Sequence, residues 1–239
     1  MQYAQLVLSP ANGKRLIAKA VLKSKEFRKA MDSGIIVLSL GTTNAFIYEE
    51  ITGKKVIPEE YAAGIVKGSL GVSSVGKRLK PLVLNKGQII DLPWQEAIKA
   101  MDENSLFIKG ANAFDTSGLI GILVGGEGGG TIGQALGFLA VKKIPLMVPV
   151  GIEKRLDSVL QAAKYLAKPT DGTKDMQAGM VVVSNSILIT EIEAFEILFN
   201  VEAALVAAGG ISGFEGSGIF VIKGEERLVQ KALDTVENW

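Results

Sequence analysis

Short apolar runs that alternate with helical patterns constrain this chain more than any other feature. Each run has the length of a strand and the continuous hydrophobicity typical of a strand buried on both faces. Helical patterns follow, and strands separated by helices pair in parallel. We therefore predict an α/β fold: a Rossmann-like, mostly parallel sheet with helices on both faces. The runs are IIVLSLG, SLFIKGA, LIGILVGG and IPLMVPV.

The remaining segments predict how the chain is divided. An amphipathic helix is expected over about 10–31, because Ser9 and Pro10 form a typical helix start. Residues 1–166 are predicted to form the ligand-binding Rossmann-like domain, and 167–179 a linker rich in Pro, Gly and charges. The pattern over 180–239 is β-α-β-β-α, which indicates a small C-terminal α+β unit, either a subdomain or an extension of the main sheet.

Composition excludes several kinds of chemistry. The 239 residues include no cysteine and no histidine, so thiolate nucleophiles, Ser-His-Asp triads and Cys/His zinc sites are absent. With 48% hydrophobic and 21% charged residues, the chain has a globular composition. Any catalysis would depend on carboxylates, lysines, hydroxyls and backbone dipoles. The sequence identifies no metal and no cofactor.

Charge and chain pattern limit the partners. The net charge of +1 does not indicate a nucleic acid or an anionic membrane as a binding partner. The beginning, MQYAQLVLSPANGKR, lacks the order of a signal peptide, and no apolar run is long enough for a spanning helix. We expect a cytoplasmic protein whose partner is a small anionic metabolite, and a homo-oligomer is left open.

The first candidate site is the turn after the predicted strand IIVLSLG. Gly41, Thr42, Thr43 and Asn44 stand where that strand ends and a helix begins. Exposed amides, a positive helix end and two hydroxyls can hold an anion there. The alternative is that a threonine only caps the helix.

The second candidate site is the glycine loop in VGGEGGGTIGQAL, residues 124–136. Gly128, Gly129, Gly130 and Thr131 precede a helix, and glycines let a ligand approach the backbone closely. No Walker lysine follows, so the loop is not a P-loop. It is either a second anion loop or a tight turn, and Glu127 within it is a candidate for chemistry. We expect the loops near 41 and 128 to lie side by side around one hollow.

Polar side chains near the ends of other predicted strands complete the candidate set. Lys109, Asn112 and Asp115 follow SLFI, and Lys154 follows IPLMVPV. Lys154 is the preferred cation for a bound phosphate, whereas the first three either face the ligand or form an ordinary polar turn. The basic piece GKRLK, residues 76–80, is interpreted as a solvated hairpin.

Three of these stretches resemble a known superfamily. GIIVLSLGTTNAFIYEEITG is similar to the opening strand, loop and helix of ribose 5-phosphate isomerase, FIKGANAFD to its acidic D-G-A-D-E-V-D segment, and GGEGGGTIGQALGFLA to its glycine loop and helix. They follow in the same order over about 14–150. The resemblance implies the superfamily of this isomerase, glucosamine 6-phosphate deaminase, sugar-responsive repressor domains and coenzyme A transferases.

The departures from the isomerase pattern concern its catalytic residues. Lys109 and Asn112 replace two acidic residues of the family, and only Asp115 is retained. Glu127 stands in place of the loop lysine, and Leu136 in place of a helix glutamate. A proton-transfer isomerase needs a carboxylate base beside the substrate carbon, so ribose isomerisation is not expected.

Three functional hypotheses follow. The first is a protein that binds a small phosphorylated, nucleotide or coenzyme A-like ligand through both loops. The second is an enzyme, either a transferase with Glu127 as nucleophile, as the resemblance to coenzyme A transferases implies, or a sugar-phosphate enzyme using Asp115. The third is a structural or assembly protein in which the glycine turns only pack.

Overall fold

The fold is given by a computed structural model that describes residues 1–66, 68–73, 76, 78–169 and 176–239. Within these residues it contains eight α-helices and fourteen strands. The helices are α1 (Pro10–Lys23), α2 (Lys25–Ser33), α3 (Thr42–Thr52), α4 (Trp94–Ala100), α5 (Gly130–Val141), α6 (Val159–Leu166), α7 (Glu191–Phe199) and α8 (Glu226–Glu237). The strands are β1 (Gln2–Leu8), β2 (Ile35–Leu38), β3 (Gly64–Val66), β4 (Leu70–Val72), β5 (Leu82–Asn85), β6 (Gln88–Ile90), β7 (Leu106–Ile108), β8 (Ala113–Phe114), β9 (Ile120–Val124), β10 (Leu146–Pro149), β11 (Gly179–Val183), β12 (Ile187–Ile189), β13 (Glu202–Gly209) and β14 (Ser217–Gly224).

A six-stranded sheet forms the centre of the molecule, in the order β12-β10-β7-β2-β5-β6. The first four strands are parallel, whereas β5 pairs antiparallel with β2, and β6 with β5. Parallel neighbours place their carboxyl ends at the same edge. The segments that follow β2, β7 and β10 therefore meet at one edge of the sheet.

Both faces of this sheet are covered. Ile36, Val37 and Leu38 of β2 are all fully buried, and consecutive strand residues point to opposite faces. Helix α1 packs against both α3 and α7, while α4 packs against α5. The predicted α/β class with a mostly parallel sheet is confirmed.

The helix predicted over 10–31 is two helices. Ser24 ends α1 and begins α2: its Oγ atom donates to the carbonyl of Val21 at 2.7 Å and accepts from the amide of Phe27 at 3.3 Å. Ser24 is extended rather than helical. The hydroxyl of a serine can pair with backbone groups of neighbouring residues, which lets the chain leave one helix and begin another. The apolar pattern continues across this break, so it gives no sign that the helix axis changes.

The strand before the glycine loop does not belong to the central sheet. β9 pairs antiparallel with β11 and with β8 in a separate three-stranded sheet. The expectation that both loops follow strands of one parallel sheet was therefore wrong. A short apolar run indicates a buried strand but carries no information about the direction of its partner.

Elements of the C-terminal quarter pair with earlier parts of the chain. β14 pairs with β1 and β13, β12 with β10, and β11 with β9. The division of the chain into 1–166 and 180–239 stays a prediction. These pairings favour the alternative in which the C-terminal unit extends the main sheet. Residues 170–175 of the predicted linker lie outside the described residues.

Candidate anion-binding cavity

One cavity of about 470 Å³ is lined by both predicted loops. Gly41, Thr42 and Thr43 contribute from the turn after β2, and Gly130 and Thr131 from the start of α5. The two loops that the sequence places almost ninety positions apart therefore face one space. Its volume suits a small metabolite.

The first turn of α3 offers unpaired polar groups to this cavity. Its cap position, Gly41, has no side chain to accept from the helix amides. Thr43 lines the cavity with only 2% of its surface exposed, and its Oγ1 atom has no hydrogen-bond partner among the described residues. Asn44 does not line the cavity. Its Nδ2 atom instead donates a hydrogen bond to the backbone carbonyl of Ser39 at 2.8 Å.

Only part of the glycine loop lines the cavity. A turn of 3-10 helix spans Glu127–Gly129, and Gly128, Gly129 and Gly130 all have positive φ angles of 60–72°. These angles favour glycine. Glu127 and Gly130 line the cavity, whereas Gly128 and Gly129 do not. The cap position of α5 is itself a glycine and provides no side-chain acceptor.

Two lysines bring positive charge to the cavity. Lys109 follows β7, and Lys154 lies in a 3-10 turn, Ile152–Lys154, after β10. The Nζ atom of Lys109 donates to the carbonyl of Gly110 at 3.3 Å, and that of Lys154 to the carbonyl of Ala111 at 3.0 Å. Among the described residues, neither Nζ atom lies within 4.0 Å of a carboxylate oxygen.

Burial changes the acidity of both lysines. It lowers the pKa of Lys109 to about 8, and the positive charge of Lys154 adds to this effect. Burial also lowers the pKa of Lys154, against the opposing influence of Glu153. Removing an ammonium group from water disfavours its charged form. An anion in the cavity would favour the charged form of both lysines.

A buried carboxylate supports the turn that carries Lys154. The Oε2 atom of Glu191, at the start of α7, accepts from the amide of Ile152 at 2.8 Å. Glu191 is only 3% exposed, and burial raises its pKa to about 7. A Cβ atom on Gly13 of α1 would lie 2.3 Å from its Oε1 atom, so a side chain at this position would displace the carboxylate.

The other two polar candidates after β7 differ in position. Asn112 lines the cavity, and its Oδ1 atom accepts from the amide of Leu123 at 3.0 Å. Asp115 does not line it. The carboxylate of Asp115 accepts from the Oγ atom of Ser117 at 2.5 Å and from the amide of Val159 at 2.8 Å, and these bonds hold the pKa of Asp115 below its usual value. Its catalytic role stays a prediction.

Several lining residues escaped the sequence reasoning. Arg78 lines the cavity, although the segment around it was interpreted as a solvated hairpin; its neighbour Lys80 instead lies 3.7 Å from Asp91, and Lys77 lies outside the described residues. A basic cluster gives no sign of which member turns inward. The other lining residues that were not proposed include Trp94, Gln95, Gly126, Gln134 and Met176.

The described residues contain no group of three or more acidic side chains arranged to hold a metal ion. Among the helices of that same part of the chain, none combines the length and the apolar character needed to cross a membrane.

Comparison with known proteins gives one distant likeness. No protein family and no curated protein matches the chain. A solved structure that matches is a D-ribose-5-phosphate isomerase in complex with phospho-erythronic acid, with 15% identity and a TM-score of 0.28, covering 95% of this chain and 85% of that one. Membership of its superfamily stays a prediction.

Proposed function

We propose that this protein binds a small phosphorylated or similarly anionic ligand in the cavity between α3, α5 and the segments after β7 and β10. One observation carries the proposal: among the described residues, Lys109 and Lys154 line the cavity with no carboxylate oxygen within 4.0 Å of either Nζ atom, and two helix starts without a side-chain cap line the same cavity. The cytoplasmic location and a homo-oligomeric state remain predictions.

The physical basis is electrostatic. Helix N-termini carry a partial positive charge and unpaired amides, which together favour anions. The buried hydroxyl of Thr43 provides a further donor. Inside a cavity each of these interactions is stronger than in water. A phosphate group therefore fits the donor set better than a neutral ligand does.

Calorimetric titration tests the proposal. Inorganic phosphate, ribose 5-phosphate, adenosine monophosphate and acetyl coenzyme A are compared on the wild type, Lys154→Gln and Lys164→Gln. We expect at least one phosphorylated ligand to bind, Lys154→Gln to weaken binding roughly tenfold or more through loss of a charged partner, and Lys164→Gln, an exposed control on α6, to leave it unchanged. Absence of binding by all four ligands would favour the structural hypothesis.

A second candidate function is acyl transfer through Glu127. Glu127 lines the cavity and Asp115 does not, which supports Glu127 as the reacting carboxylate of the two. A carboxylate can attack the thioester carbonyl and form an acyl anhydride while the coenzyme A thiolate leaves. The thiolate can then attack the glutamyl carbonyl, which releases acetate and leaves a glutamyl thioester that hydroxylamine cleaves. Hydroxylamine trapping after incubation with acetyl coenzyme A should yield a hydroxamate at Glu127 in the wild type and none in Glu127→Gln. An unmodified wild type would rule out this chemistry with that thioester.

A further inference from the structure

The amines of Lys109 and Lys154 differ in how they are hydrogen-bonded. The Nζ atom of Lys154 is held by the carbonyl of Ala111 at 3.0 Å, and Lys154 stands on a turn supported by Glu191. The Nζ atom of Lys109 has only a long bond of 3.3 Å to the adjacent carbonyl of Gly110 among the described residues. Both groups line one cavity, so Lys109 is the less constrained of two neighbouring cations.

We propose that Lys109 is a nucleophile that forms an imine with a phosphorylated aldehyde or ketone bound in this cavity. The inference rests on the proposed function, because the phosphate would be held by the helix starts and by Lys154. It deepens that function by naming the ligand class: a small carbonyl compound that carries a phosphate.

The charge balance of the cavity supports this role. Two partly buried ammonium groups near one another repel each other, and one of them reduces the cost by losing its proton. Burial and the charge of Lys154 lower the pKa of Lys109 to about 8. Near neutral pH, the neutral amine is then on the order of a hundred times more abundant than for an ordinary lysine. A desolvated lysine beside a second cation is a known route to an activated amine.

The reaction needs no oxidant or reductant. The lone pair of the neutral Lys109 amine adds to the carbonyl carbon as the carbon–oxygen double bond opens, and one of the two amine protons moves to the oxygen to give a neutral carbinolamine. The second proton on the nitrogen then joins the hydroxyl group, which leaves as water, and a carbon–nitrogen double bond forms. Lys154 keeps its charge and pairs with the phosphate of the ligand.

Two matched probes test the inference on the full chain. Pyridoxal 5′-phosphate and unphosphorylated pyridoxal are each incubated with the wild type below one equivalent, reduced with borohydride, and located by peptide mass mapping. We expect the phosphorylated probe to label Lys109 at least tenfold more than any exposed lysine, and pyridoxal to label it at least tenfold less than its phosphorylated partner. Label spread over exposed lysines, with Lys109 unmodified, would overturn the inference.

Variants and competition separate this inference from the proposed function. Lys109→Met should lose the label, while Lys164→Gln should keep it; site mapping on the wild type remains decisive if the first variant does not fold. If inorganic phosphate or ribose 5-phosphate binds but Lys109 is not trapped, the imine is refuted and anion binding stands. If Lys109 is trapped equally by both probes and no phosphorylated ligand binds, the phosphate site is refuted together with the proposed ligand class.

The pH profile provides an independent readout. Labelling of Lys109 should rise with pH to a midpoint near its pKa of about 8. Among the residues that the structure describes, the other charged groups that line the cavity are Lys154, Glu127 and Arg78. Lys154→Met removes the neighbouring positive charge, so the midpoint should move to higher pH. A midpoint that stays near 10.5, the ordinary value for lysine, in the wild type would contradict the activated amine.

Discussion

Thr43 carries the most informative single atom of the site. Its Oγ1 atom is buried against the cavity and has no partner among the described residues. A buried hydroxyl without a hydrogen bond costs about 1–3 kcal/mol of folding free energy. Proteins keep unpaired polar groups of this kind at binding sites, where the ligand provides the missing hydrogen-bond partner.

We therefore predict opposite effects of Thr43→Val on stability and on binding. The substitution keeps the shape and removes the unpaired hydroxyl, so the free energy of unfolding should be unchanged or rise by about 1 kcal/mol. Affinity for the phosphorylated ligand should fall roughly tenfold, because a hydrogen bond to a charged group is lost. Chemical denaturation and calorimetry measure the two quantities. A stability loss with intact affinity would show that the hydroxyl is structural.

Glu191 is the buried acid that connects α7 to the turn of Lys154. The charged groups around it are Lys14 of α1, Glu153 and Lys154. Because its pKa is raised from 4.5 to about 7 by burial, the folded protein binds more protons than the unfolded chain between these values. Stability must then fall as pH rises through this window.

Glu191→Gln should remove this pH dependence. A glutamine can still accept from the amide of Ile152 but does not ionise, so relative to the wild type its unfolding free energy should rise by up to about 3 kcal/mol between pH 4.5 and 7. Glu196→Gln, an exposed substitution on the same helix, should follow the wild type. Urea unfolding across this range gives the comparison, and parallel curves for all three proteins would disprove the buried ionisation.

At the scale of elements, α5 depends on the close approach of its first turns to the glycine loop. A Cβ atom on Gly133 would lie 2.2 Å from the carbonyl oxygen of Gly128, whereas a Cβ atom on Gly137, one turn further on, would meet nothing within 4 Å. The first glycine is therefore required by packing, and the second only weakens the helix.

Alanine at these two positions should act in opposite directions. Gly133→Ala should displace the loop, destabilise the protein by about 1–3 kcal/mol and weaken ligand binding. Gly137→Ala should stabilise it by about 0.5–1 kcal/mol, because alanine is the better helix former, without changing affinity. Thermal unfolding with and without ligand measures both effects. Equal behaviour of the two variants would argue against a loop held by Gly133.

At the scale of the whole molecule, strand pairing joins the two ends of the chain. β1 lies beside β14, and both β9 and β10 have partners that come after residue 166. A fragment of 1–166 would leave three strands with unpaired backbone groups and exposed apolar surface.

We predict that residues 1–166 do not fold cooperatively when produced alone. The full chain should unfold in one transition, and the fragment should lack the near-ultraviolet signal of fixed aromatic packing. Adding a second fragment of 167–239 should restore it. A native-like fragment with a sharp unfolding transition would instead support an independent N-terminal domain.

The sequence by itself determined the α/β class, the strands IIVL and LMVP, and the position of both loops, because burial on two faces and glycine-rich turns leave local patterns. It also excluded cysteine and histidine chemistry outright. Which residues meet is a matter of long-range contacts. Only the tertiary structure could bring Arg78 into the cavity, leave Asp115 and Asn44 outside it, and place β9 in an antiparallel sheet.

The same reason explains the most consequential site residues. Lys109 and Lys154 were visible as polar residues after strands, but their shared cavity and the lowered pKa of Lys109 arise from burial and from each other's charge. No local sequence pattern indicates that Glu191 is a buried acid, because its environment is formed by α1 and by a turn some forty residues earlier in the chain. Local patterns specify elements; the desolvation and charge that give side chains their chemistry depend on the packed fold.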